Sequence, residues 1–191
     1  MKRAAENDLL VEQLIECFPK HDDMSFLSEL DPIAAQLTTG QSDGVNRLRW
    51  APKKIQTDPE QLELLYQKLP AHFPPLYERL VLSYCWAQVD LGIYRLLPNP
   101  PGPDFSGLFQ QISGDTGLWE SLAPGGYIQF GRGADSDYDP VCFDLSARKK
   151  NGEYEIVKID HEEILCNYRI KVAEKMAPSF RELVLQTIGG A

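Results

Sequence analysis

The sequence contains no long apolar run. No stretch approaches the roughly 20 consecutive apolar residues that cross a bilayer. The opening segment, residues 1–18, also lacks the continuous apolar core of a signal peptide, because Glu6, Asp8, Glu12 and Glu16 interrupt it. These absences predict a soluble cytoplasmic protein without a membrane partner.

Cysteine and histidine are both scarce and widely spaced. The four cysteines form no Cys-x-x-Cys pair, and the three histidines lie far apart in the sequence. We therefore predict no metal site and no cofactor, and we expect the thiols to be small buried hydrophobic groups. The cysteines are Cys17, Cys85, Cys142 and Cys166.

Basic residues are few relative to acidic ones. The 191 residues include 19 Lys and Arg against 28 Asp and Glu, which gives a formal charge of −9, and no region is basic. Nucleic-acid binding depends on Lys and Arg that neutralise phosphates, so this balance argues against a nucleic-acid partner and favours a basic protein partner. A chain of this length with 43% hydrophobic residues can bury a substantial core without disulfides or metals.

Helical patterns dominate the first part of the chain. A periodic run of apolar residues predicts an amphipathic helix that ends at Pro19. Shorter helical segments are predicted over 26–30 and 33–37, and the polar, turn-rich segment 38–57 is predicted to be a linker. We therefore predict that residues 1–57 form a helical extension and linker.

Residues 58–191 are predicted to form one domain that combines helices and strands. Helices are expected to begin near Pro59 and near Pro75, where proline stands at the start of an apolar periodic run. Two shorter helices, separated by Gly114, are expected between residues 105 and 122.

The apolar period changes from 3.6 to 2 after residue 88, which indicates strands. The alternation over 88–93 predicts a first strand, and segments 127–131, 140–146 and 153–160 predict three more. Asn151-Gly152 predicts a tight type I′ turn between the last two, because both residues tolerate positive φ. The expected fold is α+β, with an antiparallel β-meander sheet packed by helices.

Two capping boxes predict the last helices. Asp160 with Glu163 indicates a short helical turn, and Ser179 with Glu182 indicates a final helix. Six apolar residues of the predicted strands and final helix are expected to be buried together: Phe130, Val141, Phe143, Phe180, Leu183 and Val184.

Five segments of this domain resemble the SUKH superfamily. They are residues 72–78, with His-Phe-Pro-Pro-Leu-Tyr-Glu, and residues 126–131, 137–144, 159–165 and 177–183. The superfamily includes fungal cell-wall-assembly regulators of the Smi/Knr type and many bacterial immunity proteins. The resemblance covers about residues 58–189.

The resemblance implies a non-enzymatic role in binding a protein partner. Bacterial members neutralise toxins, often nucleases, and the acidic charge of this chain complements a basic toxin. We expect the partner-binding residues in the acidic segment 135–144, because loops on a rigid sheet often carry function. The predicted residues are Asp135, Asp137, Tyr138 and Asp144.

Two alternatives remain open. The alternating carboxylates of 135–139 could serve a carboxylate-dependent or metal-binding hydrolase if two or more converge in a pocket with a raised pKa or a bound cation. The segment does not match a calcium loop, because Pro140 occupies the glycine position and Ser146 the terminal glutamate position. An intracellular regulatory scaffold could use the same surface.

Overall fold

A computed structural model describes residues 2–21, 26–28, 34–42, 47–102, 104–134 and 137–190. The helices are α1 (Lys2–His21), α2 (Ala34–Leu37), α3 (Glu60–Tyr66), α4 (Pro75–Ser83), α5 (Ser106–Ser113), α6 (Thr116–Leu122), α7 (His161–Asn167) and α8 (Phe180–Gly189). The strands are β1 (Phe26–Ser28), β2 (Thr38–Ser42), β3 (Arg47–Trp50), β4 (Lys53–Lys54), β5 (Tyr84–Cys85), β6 (Val89–Asp90), β7 (Tyr94–Leu96), β8 (Tyr127–Gly133), β9 (Pro140–Asp144), β10 (Glu155–Ile159) and β11 (Val172–Ala177).

The fold is α+β, as the sequence predicts. Strands β6 to β11 form a six-stranded antiparallel sheet in which neighbours in the sheet are also neighbours in the sequence. Phe143 of β9 pairs with Ile128 of β8 on one side and with Ile156 of β10 on the other. The predicted meander of three consecutive strands is confirmed, and β7 and β11 extend it.

Helices bury both faces of the central strands. Phe143 and Ile156 belong to the larger of two hydrophobic clusters, which includes residues of α4 and α8. Cys142 and Val157, on the opposite face, pack with Leu118 and other residues of α6 and α7. The six residues predicted to share a core are all fully buried in the larger cluster.

The N-terminal helix shares this larger cluster. Leu10, Leu14 and Phe18 of α1 are buried in it, and the Phe18 ring lies edge-on to Trp86, with ring centroids 6.4 Å apart. The prediction that this helix ends at Pro19 is wrong, since α1 continues to His21. A proline loses one intrahelical donor, which interrupts a helix less severely in the last turn than in the middle.

The segment between α1 and α3 contains strands where the sequence predicts a helical turn and a linker. β1 pairs with β3, and β3 pairs with β2, in a small antiparallel sheet. The predicted helical turn over 26–30 is wrong for β1, and residues 29–30 lie outside the described part of the chain. A short apolar run is compatible with a helix or with a strand. Here the pairing with β3 makes residues 26–28 a strand.

The strand predicted over 88–93 is a hairpin. β6 ends at Asp90, whose carboxylate accepts a hydrogen bond from the Gly92 backbone N–H at 2.8 Å. Gly92 has φ of +81°, a conformation that favours glycine, so the chain reverses and β7 returns alongside β6. The apolar alternation over 88–93 predicts one continuous strand, because the pattern does not reveal the turn at Gly92.

The predicted caps are confirmed, but the predicted turn type is wrong. Asp160 accepts from the Glu163 N–H, and Ser179 accepts from the Glu182 N–H. Gly152 has positive φ and Asn151 does not, so the turn is not type I′. Instead, residues 145–154 connect β9 to β10 through a short 3₁₀ turn and a hydrogen bond from Gly152 N–H to Lys149 C=O.

Cys17, Cys85 and Cys142 are buried, as predicted, but the prediction is wrong for Cys166, which is exposed on α7. Among the helices of the described residues, none combines the length and apolar character needed to cross a membrane.

Candidate functional site

The predicted partner-binding segment connects β8 to β9. Asp135 and Ser136 lie outside the described residues, whereas Asp137, Tyr138 and Asp139 are described. We call residues 137–139 the acidic loop.

Asp137 is bonded within the protein. Its carboxylate accepts from the Asp139 backbone N–H at 2.9 Å, which forms an Asx turn, and from the Lys158 ammonium at 3.2 Å. Lys158 also contacts Glu174 of β11 at 3.3 Å. The carboxylate predicted to face a partner therefore fixes the loop to strand β10 of the sheet.

The pKa of Asp137 lies below its ordinary value of 3.8. Partial burial raises this pKa, but the hydrogen bond from Asp139 and the charge of Lys158 outweigh the effect of burial. The pKa of Lys158 is raised in turn, because Asp137 and Glu174 outweigh the partial burial of the ammonium group. Both side chains are thus stabilised in their charged forms.

Arg95 and Gly133 bring the loop close to the sheet. The Arg95 guanidinium donates to the backbone carbonyl of Gly133 at 2.9 Å and to that of Asp137. A Cβ atom on Gly133 would lie only 2.2 Å from an Asp137 carboxylate oxygen. Glycine is therefore required at 133 for the Asp137 side chain to occupy this position.

Asp139 contacts the start of α7. One of its carboxylate oxygens accepts from the His161 backbone N–H at 2.9 Å and lies 2.7 Å from His161 Nδ1. The Asx turn that precedes Pro140 is made by Asp137 and not by Asp139. Asp139 instead connects the loop to α7.

Tyr138 is the exposed member of the loop. Its side chain is 60% exposed, between two residues whose carboxylates are engaged. The Arg132 guanidinium lies 5.7 Å from the ring centroid, in a cation–π contact, and the His161 ring lies 6.3 Å away. The Tyr138 ring is therefore exposed to solvent, while hydrogen bonds hold the residues on both sides of it, Asp137 and Asp139.

Asp144 has a local role at the end of β9. Its carboxylate accepts from the Ser146 N–H at 2.9 Å and from the Ser146 hydroxyl at 2.6 Å, which caps the 3₁₀ turn. The structure thus places Asp137 and Tyr138 together just before β9, whereas Asp144 lies at the other end of β9.

The loop carboxylates contact basic groups rather than each other. The hydrolase alternative requires converging carboxylates with a raised pKa or a bound cation, and the pKa of Asp137 is lowered. Within the described ranges, no three His, Cys, Asp or Glu side chains are grouped so that they could hold a metal ion.

Sequence reasoning missed the cations that contact the loop. Arg95, Arg132 and Lys158 each stand between apolar residues or glycines in a strand. A lone half-buried cation in such a strand needs a hydrogen-bonding or charged partner. The isolated Lys or Arg in an apolar strand was therefore the sequence signal that could have indicated these contacts. Which carboxylate pairs with each cation depends on the strand order.

A comparison with protein-family models finds no match, and a comparison with curated proteins finds none either.

Proposed function

We propose that this chain is a non-enzymatic binding protein of the SUKH immunity type, which neutralises a basic toxin, such as a nuclease, by protein–protein contact. The observation that carries the proposal is Tyr138, an exposed aromatic side chain on a loop fixed by Arg95, Lys158 and His161.

A fixed aromatic residue suits a binding role. Tyrosine is enriched among the residues that dominate binding energy, and a loop that is already ordered loses little entropy when a partner binds. The Arg132 guanidinium lies over the Tyr138 ring, 5.7 Å from its centroid, in a cation–π contact. We therefore assign the short-range contact to Tyr138.

The charge of the whole molecule supplies the long-range attraction in this proposal. Asp137 is balanced locally by Lys158, so one loop acid contributes little field by itself. The net charge of −9 attracts a basic partner, which accelerates encounter and makes the rate depend on salt.

The test measures association and dissociation rates against the protein encoded by the adjacent gene, at low and high salt. We expect Tyr138→Ala to accelerate dissociation roughly 10-fold, because removal of a central aromatic acts mainly on that rate. Because Asp137 is paired with Lys158, Asp137→Asn is expected to slow association and to weaken its salt dependence only slightly. Leu64→Ala, at a comparably exposed residue of α3, is the matched control and should leave both rates unchanged.

Wild-type rates for Tyr138→Ala at both salt concentrations would remove the acidic loop from the interface. A regulatory scaffold would show the same dependence on Tyr138 with a partner that is not toxic. Thermal unfolding of each variant must be measured alongside, so that a rate change is not confused with loss of the fold.

A hydrolase is the second candidate, favoured by the 2.7 Å contact between Asp139 and His161 Nδ1. A carboxylate in this position orients an imidazole so that its other nitrogen can act as a base. Unchanged binding combined with loss of a hydrolytic or metal-dependent activity in Asp139→Asn or His161→Gln would support the enzyme over the binding protein.

A further inference from the structure

Tyr138 alone is too small to provide the whole contact surface for a protein partner. A specific protein–protein interface buries roughly 800 Å² on each side, whereas one aromatic side chain buries about 150–250 Å². The surface that adjoins Tyr138 must therefore take part in binding. Arg132 of β8 and His161 of α7 both lie beside the Tyr138 ring, and they show where this surface continues.

Arg132 connects Tyr138 to the start of α6. One of its guanidinium nitrogens lies 3.8 Å from a carboxylate oxygen of Asp115. The other oxygen of Asp115 caps α6, because it accepts from the Leu118 backbone N–H at 3.3 Å. Gly117, two residues after the cap, is exposed. The first turn of α6 therefore adjoins the acidic loop.

His161 connects Tyr138 to Leu165 along α7. His161 and Leu165 are four residues apart in this helix, so they lie on the same face of it. Leu165 is 49% exposed, and its side chain reaches α6. A Cβ atom on Gly117 would lie 3.0 Å from a Leu165 methyl carbon and 3.7 Å from an Asp115 carboxylate oxygen. The path along α7 thus meets the path along α6.

These contacts form a closed ring, so its members belong to one continuous surface. We call it the loop–helix surface, and it consists of Asp115, Gly117, Arg132, Tyr138, His161 and Leu165. Its two large hydrophobic side chains, Tyr138 and Leu165, are both more than 40% exposed, at 60% and 49%. Exposed apolar side chains that share one surface commonly mark an interaction site.

An unbalanced carboxylate lies at the rim of the loop–helix surface. Glu162 follows His161 on α7 and precedes Leu165 by three residues, so it lies close to both. Its side chain is exposed, and within the described ranges its carboxylate has no hydrogen-bond or ion-pair partner. Glu162 can therefore pair with a basic group of another molecule.

The basic groups of the same surface already contact acids of this chain. Arg132 lies beside Asp115, and His161 Nδ1 lies 2.7 Å from Asp139. Glu162 therefore gives the surface and its rim a net negative charge. A second copy of this chain would bring another Glu162 and another net charge of −9, whereas a basic partner complements both.

We propose that the loop–helix surface is the site at which the basic partner binds, with Tyr138 and Leu165 as two apolar anchors and Glu162 paired with a Lys or Arg of the partner. This inference rests on the proposed binding function and extends its site from the acidic loop to α6 and α7. The partner surface that fits it presents apolar side chains beside a cation.

Dissociation from the protein encoded by the adjacent gene tests the second anchor. We expect Leu165→Ala to accelerate dissociation roughly 5- to 10-fold and to leave association nearly unchanged, because apolar anchors act mainly on dissociation. Leu64→Ala, at a similarly exposed leucine of α3, is the matched control and should leave both rates unchanged. Wild-type dissociation of Leu165→Ala, when Tyr138→Ala still accelerates it, would overturn this inference and leave the proposed function intact.

Association rates at low and high salt test the pairing of Glu162. We expect Glu162→Gln to slow association roughly 3-fold at low salt and less at high salt, because salt screens the lost attraction. Glu63→Gln removes the same charge from an exposed position on α3 and should have a much smaller effect. Equal effects of the two variants would show that only the net charge acts, which would contradict the pairing.

Gly117→Arg tests the surface by blocking it. The added side chain displaces only the flexible end of Leu165 and brings a positive charge to the surface, so we expect binding to weaken roughly 10-fold or more. Gly189→Arg, at an exposed position of α8 where an added Cβ has nothing within 4 Å, is the matched control. Thermal unfolding must confirm that both variants fold.

The outcomes separate this inference from the proposed function. Wild-type affinity of a folded Gly117→Arg chain, with Tyr138→Ala still impaired, would place the partner away from α6 and α7 and overturn the inference alone. A wild-type chain that does not bind the protein of the adjacent gene would overturn the proposed function and this inference with it.

Discussion

At the scale of single residues, Phe143 contacts aromatic side chains from several elements of the core. Its ring stacks on Phe130 with centroids 4.3 Å apart and meets Tyr77 and Phe180 edge-on, at 5.3 and 6.0 Å. The strand β9 supplies Phe143, and the helices α4 and α8 supply Tyr77 and Phe180. One side chain therefore joins the sheet to two helices.

We expect Phe143→Ala to lower the free energy of unfolding by about 3–5 kcal/mol, because the fully buried ring leaves a cavity that its neighbours fill only partly. Urea unfolding followed by circular dichroism measures the change. Leu64→Ala, at an exposed site, should change it by less than about 0.5 kcal/mol. A loss below about 1 kcal/mol for Phe143→Ala would place the ring outside the core.

Asp137→Asn tests the electrostatic role of the acidic loop. The substitution keeps an acceptor for the Asp139 N–H but removes the ion pair with Lys158, and we expect it to lower the free energy of unfolding by about 1 kcal/mol at pH 7. Because the pKa of Asp137 is lowered in the folded state, its stabilising effect is complete above 3.8 and is lost as the pH falls through the folded-state pKa.

The difference between wild type and Asp137→Asn should therefore be constant from pH 7 to about pH 5 and should shrink below about pH 4. Urea unfolding across this pH range measures it. Glu120→Gln, which removes one negative charge at an exposed site on α6, is the control and should have little effect at any pH. A difference that grew on acidification would contradict the stabilising role of the Asp137 carboxylate.

At the scale of elements, the ends of helices are the features best encoded in the local sequence. Asp160 and Ser179 each cap a helix, and both capping bonds lie within four residues of sequence. The termination of α7 is the exception, because Tyr168 occupies a position where sequence rules place glycine.

Tyr168→Gly should stabilise the folded monomer by about 0.5–1 kcal/mol, since glycine adopts positive φ without the steric conflict of a Cβ. The measurement is thermal unfolding of the full chain. Asn167→Gly, one residue earlier and inside the helix, should destabilise by about 1 kcal/mol. Destabilisation by Tyr168→Gly would mean that the side chain has packing within the monomer.

At the scale of the whole molecule, the N-terminal helix and the meander share one core. Phe18 meets Trp86, and the buried face of α1 packs against α4 and α8. A shared core couples the unfolding of its parts.

We therefore expect Leu14→Ala, in α1, and Phe143→Ala, in the sheet, to shift a single unfolding transition. The Leu14→Ala change should lower the free energy of unfolding by about 2–5 kcal/mol. Tryptophan fluorescence and circular dichroism should give coincident urea curves for both variants. A separate early transition in Leu14→Ala would show that residues 1–57 unfold independently.

The sequence by itself determined the features that depend on neighbouring residues: the caps of α7 and α8, the proline at the start of α4, and the period-2 segments of β8, β9 and β10. Apolar periodicity also identified the core around Phe130 and Phe143, because burial on one face imposes that period. These signals were sufficient for the α+β class.

Tertiary structure alone decided the remaining features, because they depend on partners far away in the sequence. Residues 26–28 form a strand because Arg47–Trp50 pairs with them, and the apolar pattern of so short a segment fits either a strand or a helix. The sequence predicts that Asp137 faces a partner, yet Lys158, about twenty residues away, binds it, and His161 binds Asp139 over a similar separation. Tyr138 is exposed between these two bonded residues, and the order of the strands brings their partners together.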